Sequence, residues 1–229
     1  MVTKNKDNSA SRETSSRGRH GVNAEATKAA IREAAGRLFS ESGYESVTMR
    51  RIAEAAGCSH AAIYRYFTDK ESLLEELTRP VLEQIARDFD ELTVDIASAG
   101  ERLVEMCMIF VRFGMRNRNM FRIFVAVKAE RVDREPTPSS RTENINRLRV
   151  QLFQRIQRQL AAAIGLQPES ERTLLFSRGL YYLLHGTIAT YEGSEEADEE
   201  LLGRLEPTFE STIRNLLNGY RKETETMEA

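Results

Sequence analysis

From Ala24 onward, apolar residues return at intervals of three and four rather than two. A period near 3.6 gathers them on one stripe of a helix, whereas a half-buried strand needs strict alternation. The opening run shows the pattern. Ala30, Ile31, Ala34, Leu38 and Phe39 share one side, and Lys28, Arg32, Glu33 and Arg37 the other. No segment alternates convincingly at period two, so the expected fold class is all-α. Composition agrees: 5 Pro and 13 Gly in 229 residues are too few for a turn-rich β chain. With 41% hydrophobic and 30% charged residues, there is enough apolar material for a core and no sign of a disordered or membrane chain.

Punctuation divides this pattern into three parts. Residues 1–22 lack Leu, Ile, Phe and Tyr and are rich in Ser, Asn, Arg and Lys. Too little apolar area is available there to offset ordering entropy, so a flexible basic arm is expected. Residues 23–70 form a small head. Its first helix should stop near Gly43, a residue suited to a left-handed cap. Met49, Ile52, Ala53 and Ala56 then follow helical spacing behind Thr48, a good N-cap, and Gly57-Cys58 ends that helix. Ser59 caps a second short helix running to about Tyr66. Thr68-Asp69-Lys70-Glu71 reads as a capping box opening a longer helix with Leu73, Leu74 and Leu77. Pro80 either bends that helix or breaks it. Residues 71–229 form a larger body, with further helices expected at 81–97, 102–117, 119–131, 143–164, 171–191 and 198–221.

Function concentrates in residues 48–70. Two short helices joined by Gly57 have the layout of a helix-turn-helix: Ala53, Ala55 and Ala56 permit close approach, and glycine supplies the positive φ of the turn. Ile52, Ile63 and Phe67 tie both helices to the first. The second presents His60, Ala61, Ala62, Tyr64, Arg65 and Tyr66. Small residues at its front let such a helix sink into a major groove, where polar side chains reach base edges. Net charge alone does not argue for nucleic acid. Lys and Arg number 33 against 35 Asp and Glu; residues 1–75 hold 12 basic and 10 acidic of these, so the front is weakly positive and the rear negative.

The run Ala53-Glu54-Ala55-Ala56-Gly57-Cys58-Ser59, followed by Ile63-Tyr64-Arg65-Tyr66-Phe67-Thr68-Asp69-Lys70-Glu71, resembles the DNA-binding signature of the tetracycline-repressor (TetR) family. Ala34 to Tyr44 and Thr48 continue the likeness, which is dense over about residues 27–74. The resemblance implies phosphate contacts at Thr48, Tyr64 and Lys70. It places His60, Ala61, Ala62 and Arg65 at recognition-helix positions that can face bases or backbone; Ser59, a cap first and a contact second, and Tyr66, presented by the same helix, are the other DNA-binding candidates. His60 stands where Lys is common, Tyr66 where His is common and Cys58 where a β-branched residue is usual; these departures bear on which operator is read.

One such head grips few base pairs, so specificity normally takes two copies on a palindrome. A stripe of Leu202, Leu205, Phe209, Ile213, Leu216 and Tyr220, with the largely apolar 171–191 helix, offers a pairing surface. The resemblance likewise implies a homodimer joined through a four-helix bundle, with double-stranded operator DNA as partner. In the body, Cys107, Phe110, Phe113, Phe121, Phe124, Tyr181 and His185 are candidate linings of a mostly apolar cavity for a small-molecule effector, with Met106, Met115, Phe153 and Tyr182 beside them. Repression is the expected outcome of binding.

An enzyme is the reading to weigh against this, along with a helical small-molecule binder that never meets DNA. His20, His60 and His185 lack metal-pair spacing, and neither a nucleophile elbow nor a phosphate-cradling glycine loop occurs. No catalytic residue, metal or cofactor is therefore expected. Cys58 and Cys107 cannot make a disulfide framework, no apolar run approaches the roughly 18 residues of a membrane span, and Met1–Asp7, with no apolar segment behind its lysines, is not expected to act as a secretory signal. A cytoplasmic location follows as the expectation.

Overall fold

The computed structural model describes residues 10–92, 98–118, 121, 131–138 and 142–228, with side chains described between residues 24 and 226 of those ranges. They form eight helices: α1 (Ala10–Ser42), α2 (Met49–Ala55), α3 (His60–Ile63), α4 (Lys70–Glu91), α5 (Ala99–Arg116), α6 (Glu143–Ile164), α7 (Glu171–Thr190) and α8 (Asp198–Glu228). No strand occurs among the described residues. The expected 119–131 helix lies almost wholly outside them.

The head is built on α1, whose Ile31, Ala35 and Phe39 are wholly buried. It stops where expected: Gly43 takes φ 79° and its N–H donates to the Phe39 carbonyl at 3.1 Å. Its start differs from expectation. The helical backbone reaches back to Ala10, inside the segment assigned to an arm. Once packing has nucleated a helix, each added residue gains a hydrogen bond without repeating the nucleation cost, so the helix extends beyond the face that is packed.

The head joins the body through α4. Leu73 and Leu74 at its start are wholly buried in the head, and Leu82, Ile85 and Phe89 further along belong to the body. Pro80 falls between the two sets and does not break the helix. It is exposed, so the carbonyl it leaves without a helical donor can bond water, and packing on both flanks holds the axis. The capping box also falls one residue later than expected. Asp69 is the N-cap, its side chain accepting from Ser72 N–H at 2.7 Å while Ser72 Oγ faces Asp69 N–H at 3.3 Å. Ser72 replaces Glu71 as the reciprocal partner because the box needs the third helical residue.

Within the body, α5 is central. It packs on α4, α6, α7 and α8, and Leu103, Val104, Met106, Cys107, Met108, Val111 and Met115 are buried along it. Gly114 meets the Ile188 side chain of α7 so closely that a Cβ there would overlap it. Rim ion pairs tie the same helices: Arg112 to Glu105 and Glu206, Arg214 to Glu101, and Arg155 of α6 to Asp90 of α4. Being largely solvated, each contributes little on its own.

The α8 stripe does not form the free surface expected of it. Leu202, Leu205, Phe209 and Ile213 are buried inside the protomer, together with Leu201 and Leu217, while Leu216 and Tyr220 are half-buried against the same core. Tyr220 stacks on Phe176 of α7 with ring centroids 4.0 Å apart, and its hydroxyl fills the space over Gly179. A sustained apolar stripe needs cover, and α5, α6 and α7 supply it. The large apolar side chains left outward on α7 are Leu175, 59% exposed, and Tyr182, 66% exposed, seven residues and so two turns apart.

Candidate nucleic-acid interface and buried cavity

Local bonds shape the helix-turn-helix. Thr48 is extended, and its Oγ1 accepts from Arg51 N–H at 3.2 Å, capping α2. Cys58 N–H returns to the Ala53 carbonyl at 3.0 Å across the turn, where Gly57 holds φ 68°. Ser59 Oγ accepts from Ala62 N–H at 3.1 Å and starts α3. The wholly buried Ile63 anchors α3 to the core, and buried Phe67 follows.

That anchoring decides which residues face outward. Thr48, Ser59, His60, Ala61, Tyr64 and Arg65 are exposed, and Ala62 is half-buried. Tyr64 is 46% exposed, an uncommon setting for so large an apolar ring, and His60 meets it edge-on at 5.2 Å. Tyr66 is half-buried and packs against the core. Arg50 and Arg51 of α2 are exposed next to Thr48, although neither was among the expected contacts. Their positive charge was the available signal; Arg50 is paired with Glu54 at 3.0 Å. The face therefore offers cations, hydroxyls, an imidazole and a shallow centre of small side chains.

Lys70 is differently engaged. Its ammonium donates to the Tyr44 carbonyl at 2.8 Å and the Val47 carbonyl at 3.1 Å, and lies 4.2 Å from the centre of the Tyr44 ring. It fastens the start of α4 to the α1–α2 turn, and its donors are directed into the head.

In the body, α4, α5, α6 and α7 converge on a cavity of about 50 Å3. Five of the seven expected residues line it: Phe110, Phe113, Phe121, Tyr181 and His185. Cys107 does not. It is wholly buried in the core, and burial pushes its thiol up to about 12. Phe124 lies outside the described residues. Met106 and Met115 are plain core, and Tyr182 points outward. Leu82 and Ile85 of α4 and Leu152, Ile156 and Arg149 of α6 were not foreseen as lining, whereas Phe153 was. The aromatic side chains gather round His185, with Tyr181 at 4.0 Å, Phe121 at 5.2 Å and Phe110 at 5.3 Å between ring centroids. Burial, assisted by the nearby Arg149 cation, holds His185 down to about 3, so its ring is neutral at ordinary pH.

Among the described residues, no group of three or more His, Cys, Asp or Glu is disposed to hold a metal, and no helix is long and apolar enough to cross a membrane. Residues 31–77 match the family described as bacterial regulatory proteins, tetR family. The HTH-type transcriptional repressor AcnR of Corynebacterium efficiens is 44% identical over 61 residues, covering 27% of this chain and 32% of that one. The HTH-type transcriptional repressor KstR2 of Mycobacterium tuberculosis is 32% identical over 76 residues, covering 33% and 38%. This chain thus spans about a third of the length of the curated relatives it matches. Likeness of shape reaches further. The structure of the ketosteroid transcriptional regulator KstR2 of M. tuberculosis aligns with a TM-score of 0.63 at 19% identity, over 84% of this chain and 93% of that one. The TetR family transcriptional regulator PfmR from Thermus thermophilus aligns at 0.61 and 22% identity, over 82% and 97%. At such identities the shared property is the fold, a helix-turn-helix head on a larger helical body. With the family match over residues 31–77 and the caps that shape residues 48–72, the amino-terminal head of this chain is similar to the tetR family of bacterial regulatory proteins.

Proposed function

We propose that this chain is a ligand-responsive transcriptional repressor that binds a palindromic operator as a homodimer and lets go when a small, largely apolar molecule enters the cavity. The observation that carries the reading is the outward face of α3 and its flanks: His60 and Ala61 on the helix, which ends at Ile63 rather than near Tyr66, Ser59 and Tyr64 at its two caps and Arg65 in the turn beyond all stand exposed, fixed by the buried Ile63. Small side chains admit the helix to a major groove, Arg65 and His60 reach base edges, and Tyr64, Thr48, Arg50 and Arg51 meet phosphates. Lys70 acts by holding the α4 start in place.

Dimerisation through α7 is supported by the exposed Leu175 and Tyr182, which would be covered by a second copy. The α8 contribution then comes from its outward Thr208, Thr212 and Asn215 rather than from the buried stripe. Coupling runs through α4. Leu82 and Ile85 wall the cavity, while Leu73 and Leu74 of the same helix are buried in the head. A ligand larger than about 50 Å3 displaces that wall, and the head moves with it. A ligand that favours a wider spacing of the dimer's two DNA-binding heads lowers operator affinity by its coupling free energy, typically about 1–3 kcal/mol.

Fluorescence anisotropy against fragments of the chain's own upstream DNA, at several salt concentrations, tests the reading. Binding should be sequence-dependent and salt-steep, and Arg65→Ala should weaken it at least tenfold without lowering Tm. Light scattering should give twice the chain mass, and Tyr182→Glu should halve it. A monomer indifferent to every fragment at low salt refutes the proposal.

A further inference from the structure

Arg149 is out of place in a cavity whose other walls are almost entirely hydrocarbon. Its guanidinium reaches Asn146 Oδ1 at 3.2 Å and Tyr181 Oη at 3.3 Å, both long contacts to neutral groups. No carboxylate pairs with it among the described residues. Other arginines along the same body are matched with acids: Arg112 with Glu206, Arg118 with Asp198, and Arg178 with Asp133. A cation facing an apolar space without a counter-charge is unfavourable in an empty cavity and favourable once an anion arrives. The guanidinium has five N–H donors in a planar fork, and only two of its bonds are used here. Beside it stand the Tyr181 hydroxyl and the His185 ring, and past them the space is bounded by Phe110, Phe113 and Leu152.

We propose that the cavity selects an amphipathic carboxylate, with its head group on the Arg149 fork beside Tyr181 and His185 and its apolar body against Phe110, Phe113 and Leu152. The inference rests on the reading of this space as the effector site and adds the chemical class of the effector. A carboxylate matches the fork with two parallel charge-assisted bonds, which an alcohol or an amine cannot do. His185, neutral because it is buried, meets the anion as a hydrogen-bond donor without repelling Arg149. Free cavity volume is only about 50 Å3, so the apolar body must part the walls formed by Leu82 and Ile85.

Calorimetric titration of the full chain with butyrate, octanoate and dodecanoate, each beside the alcohol and the amine of equal length, provides the test. At least one carboxylate should bind tenfold or more tightly than its matching alcohol, with the amine weakest. Arg149→Met should bring the carboxylate down to the level of the alcohol, and Arg149→Lys should retain part of the preference. Only 3 histidines occur in the chain, so the ring resonance lost in His185→Gln identifies His185 in the wild-type spectrum, and carboxylate binding should shift it. If an alcohol binds as well as its carboxylate, shifts His185 and releases DNA, the effector reading stands and the carboxylate class is wrong. If Arg149→Met changes nothing, or no carboxylate binds at millimolar concentration, the proposal is overturned, whatever the behaviour toward DNA.

Discussion

Replacing Lys70 with Met separates two roles that a lysine at the edge of a DNA-binding head can play. The ammonium makes bonds of 2.8 Å and 3.1 Å to the Tyr44 and Val47 carbonyls and lies 4.2 Å from the Tyr44 ring centre. Hydrogen bonds from a charged donor contribute about 1.5–3 kcal/mol each, and an exposed cation–π contact about 0.5–1 kcal/mol. Holding the side chain in one rotamer costs up to about 2 kcal/mol, and Met keeps the aliphatic stem. The net loss should be about 2–5 kcal/mol, which for a chain of this size lowers Tm by roughly 4–20 °C. Salt supplies the second axis. Each phosphate neutralised contributes about 0.9 to the slope of log K against log salt, so a lysine acting only inside the head leaves that slope unchanged when removed. Melting by circular dichroism and operator anisotropy at several salt concentrations measure both quantities on one sample. An unaltered Tm together with a slope reduced by about one would show that Lys70 serves phosphate and that its bonds to the turn hold nothing.

Further expectations concern packing, capping and pH. Gly114→Ala forces a methyl into the Ile188 side chain and should cost about 1–3 kcal/mol in urea unfolding, whereas Gly186→Ala, with open space around its Cβ, should cost nothing by overlap. Ser59→Ala removes the acceptor for Ala62 N–H and should destabilise the head by about 1 kcal/mol, with weaker operator binding at every salt concentration. His185 titrates near 6.5 in the unfolded chain and near 3 in the folded one, so below pH 6.5 the unfolded state takes up a proton that the folded state refuses. Stability from this group is complete above that pH and declines as pH falls toward 3. Acidifying from pH 7 to 5 should remove up to about 2 kcal/mol, a loss absent in His185→Gln and read from paired urea titrations.

The features legible beforehand are those encoded within a few residues. Thr48, Ser59, Gly43 and Gly57 act where they were expected to, because capping and left-handed turns are settled by a residue and its neighbours within one turn. Helix α6 has the expected limits, Glu143–Ile164, closing on Gly165 at φ 77°. The Asp69–Ser72 box was missed by one residue because Thr68 and Glu71 offer the same chemistry one position earlier. Phe110, Phe121, Tyr181 and His185 were recognisable as a cluster by type, yet Cys107, of similar apolar character, turns into the core instead.

By itself, the order of residues determined helices rather than strands among the described residues, the caps at Thr48 and Ser59 and the exposure of His60, Ala61, Tyr64 and Arg65, since helix period and capping depend on separations of three or four residues. Only the tertiary structure decided that the α8 stripe closes inward, that Lys70 reaches carbonyls 26 and 23 residues away, and that Arg149 and Leu82 meet His185 around one space. Those outcomes depend on which helices lie side by side. An apolar stripe requires a cover without naming it, and a cation requires an acceptor without locating it.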